Sequence, residues 1–585
     1  MRRQVIRFTA CFAVGLLLLS CDDSSTSLPV HFVVDPAVVP DVDPHRLPFP
    51  SDLYRTADGS YRFAAAPGVL NAEMLLPGLA SLGGFGTQQG VFFGLTAGDV
   101  EDDDALRLAF AAVTPDVDGC GGLIELDGAD SVTSAAETHL DRRTLLVSVW
   151  PRLGQPLSPG ARVLAWLSRS CLADALQRPV DVVDPLPELV GDAVAEAADA
   201  GLLDPADIAV ATVYTTQRVR DDLDAIALQI EAAAAPQPFF EAAFYGAGLT
   251  GARPLKELYG TPAKPLPGRD NEGGIIHDHV AQVFTGTITL TVWSDTFGRE
   301  PFNRDENGVP TPFGTQTAQF VMTLPDCPQP AAGYPVVIVQ HGLGDNKEFL
   351  LALSDALSEE CLATVGIDAV AHAFRSRRPR DVEHNITDEP GPDGLDDGFP
   401  YGGLDQIFLL NPEVARTNLL ETAAGLLQLA RAIRNRSWQP PAGALRAGLK
   451  FDRDKVGYIG QSMGGIVGSL FNGTTTDITT AVINVGGGNF IRIAEESPVF
   501  EKATVVFSIG SEDPVGFEPP DRWHFGYSLF QGVLDGADPV NFAVRFAKAP
   551  RAGAPRKHML FQAAWLDQLV PNAATSALVR AGGFP

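Results

Sequence analysis

The stretch Lys455-Val-Gly-Tyr-Ile-Gly-Gln-Ser-Met-Gly-Gly465 (KVGYIGQSMGG) decides the fold. It is a short apolar run that ends in Gly460-Gln461-Ser462-Met463-Gly464, the pattern G-x-S-x-G, with Gly465 to Leu470 opening a helix behind it. A strand that turns into a helix at one residue forces that residue into a strained bend, and its neighbours must be small. The spacing therefore predicts Ser462 at a sharp elbow, its hydroxyl lifted above a sheet and the helix N-terminus behind it stabilising developing negative charge.

Outward from the elbow, other short apolar runs are spaced by helical patterns. Tyr334 to Gln340 (YPVVIVQ), Leu362 to Asp368 (LATVGID), Ile478 to Val485 (ITTAVINV) and Met559 to Trp565 (MLFQAAW) read as buried strands. Val414 to Arg434 carries apolar residues at helical spacing. Continuous apolar strands alternating with helices predict a mostly parallel sheet covered on both faces. Residues 326–585 thus read as an α/β domain. Residues 28–324 are rich in Pro, Gly, Val and Thr, with short runs such as Thr144 to Trp150 and Arg162 to Leu167. They read as a separate mixed, mostly β N-terminal domain interrupted by helices near Leu189 to Leu202 and Arg218 to Ala234. Gln282 to Trp293 reads as a strand of that domain.

The G-x-S-x-G elbow makes Ser462 the expected nucleophile of an acyl-transfer triad, and such a site needs two aimed N–H donors for the oxyanion. The Met463 amide, next to the nucleophile, is one candidate. The other is Leu343, in His341-Gly342-Leu343-Gly344 at the end of YPVVIVQ. His341 itself reads as structural, because the base of such a triad follows the acid in chain order. The acid belongs at the end of a late strand, which gives Asp567, with Asp513 as the rival. Its role would be to hold an imidazole in one tautomer and stabilise its cation.

The chain resembles the bacterial virulence-factor-type extracellular lipases of the α/β-hydrolase superfamily. The resemblance rests on Leu47 to Leu53 (LPFPSDL), Tyr334 to Lys347 (YPVVIVQHGLGDNK), Arg416 to Glu421 (RTNLLE), the Ser462 elbow, Leu534 to Asn541 (LDGADPVN) and Leu566 to Asn572 (LDQLVPN). It implies a serine esterase or lipase that works through an acyl-enzyme on an ester or lipid substrate. An acyltransferase would use the same intermediate, since water and alcohols compete for it.

One part of that triad has no place in chain order. None of the ten histidines follows Asp567, and only 18 residues remain after it. Three explanations are open. The chain is short of a C-terminal strand, histidine loop and helix. Or another histidine serves, with His372 on the loop after the Asp368 strand and His524 in a lid-like aromatic segment (516–530) as candidates. Or the fold is catalytically dead and acts as a binding scaffold. His558 begins the strand that leads to Asp567, so at ~3.3 Å per residue it lies at the far end of the sheet.

The N-terminus carries Arg2, Arg3 and Arg7, then the apolar stretch Phe8 to Leu19, then Leu18-Leu19-Ser20-Cys21. This is a secretory signal over residues 1–20, too short to span a bilayer. Its end resembles the bacterial lipobox, which implies lipidation of Cys21 and a polar tether over residues 22–27. The expectation is an exported lipoprotein of the cell envelope, held to the outer membrane, facing either the periplasm or the surface. Cys120, Cys171, Cys327 and Cys361 then sit in an oxidising compartment, and by proximity Cys120 pairs with Cys171 and Cys327 with Cys361. With 43 Lys and Arg against 72 Asp and Glu, the net charge is −29, which argues against nucleic acid as a partner.

No cofactor is expected. The acidic turn 388–398 could hold Ca²⁺ through Asp388, Asp393, Asp396 and Asp397, although it lacks EF-hand spacing. His277 and His279 share one strand face as a possible metal pair without an identifiable third ligand.

Overall fold

The computed structural model describes residues 29–67, 69, 72–245, 277–295, 300–375, 411–435, 449–498 and 522–585. The signal and lipobox with Cys21, the 22–27 tether, Asp388, Asp393, Asp396 and Asp397 of the acidic turn, Asp513, and residues 516–521 of the aromatic segment lie outside the described residues. No described helix is long and apolar enough to cross a membrane.

The N-terminal half holds two antiparallel sheets. β1 (His31–Phe32), β2 (Val91–Thr96), β5 (Ala136–Asp141) and β6 (Leu146–Pro151) pair in the order β1-β2-β6-β5. β3 (Gly121–Leu126), β4 (Val132–Ser134), β7 (Arg162–Ser168) and β8 (Ile208–Thr215) pair in the order β4-β3-β7-β8. The helix Glu188–Asp199 covers the outer face of the second sheet through Val190, Ala193 and Ala197, one turn apart on its apolar side. A disulfide joins Cys120, just before β3, to Cys171 in the helix Arg169–Leu176, with Cα atoms 5.3 Å apart.

An eight-stranded mixed sheet forms the second layer. Its strands are β9 (Pro238–Tyr245), β10 (Val280–Val292), β11 (Gly314–Pro325), β12 (Tyr334–Gln340), β13 (Ala363–Ile367), β14 (Phe451–Gln461), β15 (Thr480–Asn484) and β16 (His558–Gln562). The order is β16-β15-β14-β12-β13-β11-β10-β9. β12 to β16 run parallel, while β9, β10 and β11 add antiparallel. The expected division at residues 324–326 is therefore corrected: it cuts this sheet, which begins at Pro238. The alternation in β10 shows a half-buried strand but not which sheet it joins. That choice is made by long-range pairing of β11 with β13, in register from Phe320 opposite Ile367.

Both faces of the sheet are covered, as its apolar strands require. On one face Val283, Val321, Val337 and Val339 pack against Leu350 and Leu351. On the other lies the helix Pro412–Arg434, almost all of it buried. It packs on the sheet and on the helices Ala72–Ala80, Asp221–Ala232, Met463–Thr474 and Phe525–Leu534. Its polar residues face inward because they terminate other elements. Glu421 accepts the N–H groups of Trp293 and Ser294 at 2.9 and 3.0 Å, and Gln428 bonds both backbone groups of Thr291. Arg416 donates to the Val533 carbonyl at 3.1 Å.

The segment after β16 also differs from expectation. Sequence reading left no helix behind Asp567, yet Asn572–Gly582 forms one. It starts at Pro571, is rich in Ala, and ends on Gly583 at φ +74°, a left-handed stop that glycine adopts without penalty. Cys327 and Cys361, beside the start of β12 and of β13, form the second disulfide with Cα atoms 5.9 Å apart.

Candidate active site

β14 delivers Ser462 to the end of the sheet, and the helix Met463–Thr474 leaves from it at once. Ser462 has φ +53° and ψ −117°, a conformation that costs a non-glycine residue free energy. The bend is held on both sides: its N–H donates to the Asn484 carbonyl of β15 at 2.9 Å, and its carbonyl accepts the Ile466 N–H at 3.0 Å. Flanking glycines are sterically required. A Cβ on Gly460 would collide with the Gly464 carbonyl, and one on Gly464 would meet the His341 carbonyl oxygen at 2.8 Å. A Cβ on Gly465 would lie 2.8 Å from Gly486 Cα. The buried Tyr458 hydroxyl donates to the Gly464 carbonyl at 2.6 Å and fixes the first turn of the helix.

The loop after β12 lies directly against this elbow. A Cβ on Gly342 would sit 3.4 Å from Ser462 Cβ and 3.6 Å from the Gln461 carbonyl oxygen. Leu343 follows, half-buried. Among the described residues, neither the Leu343 nor the Met463 N–H is spent on a backbone hydrogen bond. The Met463 N–H stands at a helix N-terminus, where the aligned peptide dipoles favour negative charge.

His341 orders this loop. The Ala369 N–H donates to its Nε2 at 2.9 Å, so Nδ1 carries the proton and donates to the Gly342 carbonyl at 2.8 Å. Because a trans peptide points its C=O and N–H in opposite directions, binding the Gly342 carbonyl also aims the Leu343 N–H away from the imidazole. Burial, the nearby His372 ring and the Lys347 and Arg375 charges hold His341 well below the usual imidazole range, opposed only by the Gly342 bond. It is a neutral structural group.

Asp567 lies on the loop after β16, partly exposed at the same end of the sheet as Ser462. Its Oδ1 accepts the N–H groups of Leu569 at 2.8 Å and Val570 at 3.1 Å. β15 separates the two strands, a span of about 10 Å at the usual strand spacing.

The candidate bases do not meet the serine. His372 sits after β13, two strands from β14 in the sheet, with Nδ1 2.9 Å from the Val370 carbonyl and its ring 5.3 Å from that of His341. It is buried, which depresses its basicity, and its Nε2 has no hydrogen-bond partner among the described residues. His524 caps the helix Phe525–Leu534, its Nδ1 accepting the Gly526 N–H at 3.1 Å. His558 begins β16, at the opposite end from the elbow. Among the described residues, no histidine hydrogen-bonds to Ser462.

No group of three or more His, Cys, Asp or Glu able to hold a metal occurs among the described residues. The paired His277 and His279 stand just before β10, with the His279 N–H on Asp355 and its Nδ1 4.0 Å from Asp326.

Sequence reading gave no structural role to two buried acids near the chain that follows β15. Asp535 and Asp538, in the LDGADPVN stretch, are wholly buried between the N-terminal half and the eight-stranded layer. Asp538 accepts the N–H groups of Asn489, Phe490 and Val540, which fixes the chain after β15 on the acid side of the elbow. Two aspartates three residues apart give no sequence signal for this role, because their partners come from distant segments.

No protein-family model matches the sequence, and no curated protein matches it. Among solved structures, the chain is similar to an acetyl xylan esterase from Paenibacillus sp. R4, at 13% identity over 62% of this chain and 84% of that one, with a TM-score of 0.34. It is similar to acetyl xylan esterase 1 from Thermoanaerobacterium sp. at 14% identity, with the same shares and a TM-score of 0.33. A Pyrococcus horikoshii acylaminoacyl peptidase matches at 11% identity over 46% of this chain and 33% of that one, with a TM-score of 0.28.

Proposed function

We propose that the protein is a carboxylic ester hydrolase of the α/β-hydrolase type that works through a serine acyl-enzyme. The observation that carries this reading is the Ser462 elbow: a serine at φ +53°, flanked by obligatory glycines and packed against the loop at Gly342 that leads to Leu343. Ser462 Oγ attacks the ester carbonyl, and the two N–H groups hold the resulting oxyanion. The alcohol leaves with a proton, and water then releases the acid from the serine. These proton transfers need an imidazole oriented by Asp567, a role that none of the described histidines fills at Ser462. The extracellular lipase resemblance of the sequence narrows the substrate to acyl esters, lipids included, and an alcohol in place of water would make the same site an acyltransferase.

A fluorophosphonate probe and p-nitrophenyl esters test this. Labelling and turnover that vanish in Ser462→Ala support it. Turnover that survives in Ser462→Ala rejects it.

One observation favours a second reading, a ligand-binding protein on a hydrolase fold: among the described residues no histidine hydrogen-bonds to Ser462. Without a base a serine hydroxyl is a weak nucleophile. That reading predicts saturable ester binding with no probe labelling.

The lipobox supports placing this activity at the cell envelope, tethered by lipidated Cys21.

A further inference from the structure

The loop that carries Leu343 runs from His341 to Lys347, and both of its ends are tied to two consecutive residues at the tip of β13. At the first end, the Ala369 N–H donates to His341 Nε2 at 2.9 Å. At the second, the Lys347 N–H donates to Asp368 Oδ1 at 2.8 Å. The Lys347 ammonium lies 3.6 Å from Asp368 Oδ2, and both side chains are fully buried. Between these ties the loop has one internal backbone bond, from the Asp345 N–H to the Gly342 carbonyl at 3.3 Å. A loop of this length, rich in glycine, orders only if its ends are fixed.

We infer that Asp368 is a positioning residue for the oxyanion hole: with Ala369 it clamps both ends of the His341–Lys347 loop and so holds the Leu343 N–H toward Ser462. The inference rests on the ester-hydrolase reading. Asp368 touches no reacting atom; it acts through the loop. The geometry divides its labour. Oδ1 fixes the backbone by accepting an N–H, while Oδ2 faces a buried ammonium and offsets its charge. The first task concerns catalysis and the second concerns stability, so the two can be separated by substitution.

Asp368→Asn combined with Lys347→Met keeps the Oδ1 acceptor and removes both charges together. Asp368→Ala combined with Lys347→Met removes the acceptor as well. In the full chain, the Asn pair is expected to retain kcat for p-nitrophenyl acetate within about threefold. The Ala pair is expected to lose kcat by ten- to a hundredfold with KM nearly unchanged, since misplacing a donor weakens the transition state and not ground-state binding. Hydrogen exchange over residues 342–346 should rise in the Ala pair only.

Equal kcat in the two pairs, or a loss confined to KM, overturns the clamp. A parent chain without Ser462-dependent turnover instead rejects the ester-hydrolase reading, and the catalytic role of Asp368 with it; exchange that is the same in both pairs rejects the clamp on structural grounds alone.

Discussion

Gln88, in the N-terminal half, and Asp535, beneath the eight-stranded layer, are joined twice: the Gln88 N–H meets Oδ2 at 2.9 Å and its Nε2 meets Oδ1 at 2.8 Å. Thr87, Gln531 and Asn541 also donate to the same carboxylate. Yet burial and the neighbouring Asp538 outweigh these donors, and Asp535 is pushed up to about 6. One of the contacts that tie the two halves together is therefore a titrating one.

The sign of that titration follows from the folded state binding its proton more tightly than the unfolded chain. Stability from Asp535 is fully present below about pH 4 and is lost as pH rises through about 6. A shift from 3.8 to about 6 corresponds to roughly 3 kcal/mol between those limits. Asp535→Asn should flatten this window. Its side-chain oxygen can still accept the Gln88 N–H, while its amide faces the Gln88, Gln531 and Asn541 donors, so the variant should also be less stable than the parent at pH 4. Urea midpoints from pH 4 to pH 7 for both proteins measure it; parallel curves would count against the assignment.

Ser462 pays for its exposure in backbone strain. A residue in this region of φ and ψ costs about 1–3 kcal/mol, and glycine adopts it without that penalty. Ser462→Gly should therefore raise the unfolding free energy by about 1 kcal/mol, after allowing for the entropy that glycine adds to the unfolded chain, while abolishing probe labelling. Chemical denaturation reads the first effect. A destabilised glycine variant would mean that the bend is not strained.

The elbow was legible in the sequence because its constraints are local. Gly460 and Gly464 must be small for the turn to close, and an apolar strand must precede them. The run Tyr334 to Gln340 was legible for a similar reason, being buried on both faces. What escaped was decided by partners distant in sequence. β10 and β11 join the parallel strands only because β11 pairs with β13. Asp535 is held by Thr87 and Gln88, more than 440 positions away, so no local pattern marks it as a structural acid. His341 was legible as structural from chain order, but the Ala369 bond that sets its tautomer was not.

Lipidation at Cys21 predicts that Cys21→Ser moves the protein from the membrane fraction to the soluble fraction of a bacterial host and abolishes incorporation of radiolabelled palmitate. Membrane retention without label would place the attachment elsewhere in the chain.

His341 gives the opposite pH dependence to Asp535. Its imidazole is held well below 6.5 by burial, so the unfolded chain binds the proton more readily. Stability from this group is present above pH 6.5 and is lost as pH falls below it, by about 1.4 kcal/mol per pH unit. Protonation would also remove the acceptor at Nε2 that receives the Ala369 N–H, so acid should loosen the oxyanion loop before it unfolds the chain. His341→Ala removes the titration but leaves the Ala369 N–H without its acceptor and the Gly342 carbonyl with only the Asp345 N–H at 3.3 Å. A buried orphan costs about 1–3 kcal/mol, and the lost ring adds a cavity. The variant should therefore be less stable at pH 7.5, show a shallower fall in stability between pH 6.5 and pH 5, and lose Ser462-dependent turnover at least tenfold. Stability curves that keep the parent's slope in that window would show that the titrating group is another, with the buried His372 the first to replace.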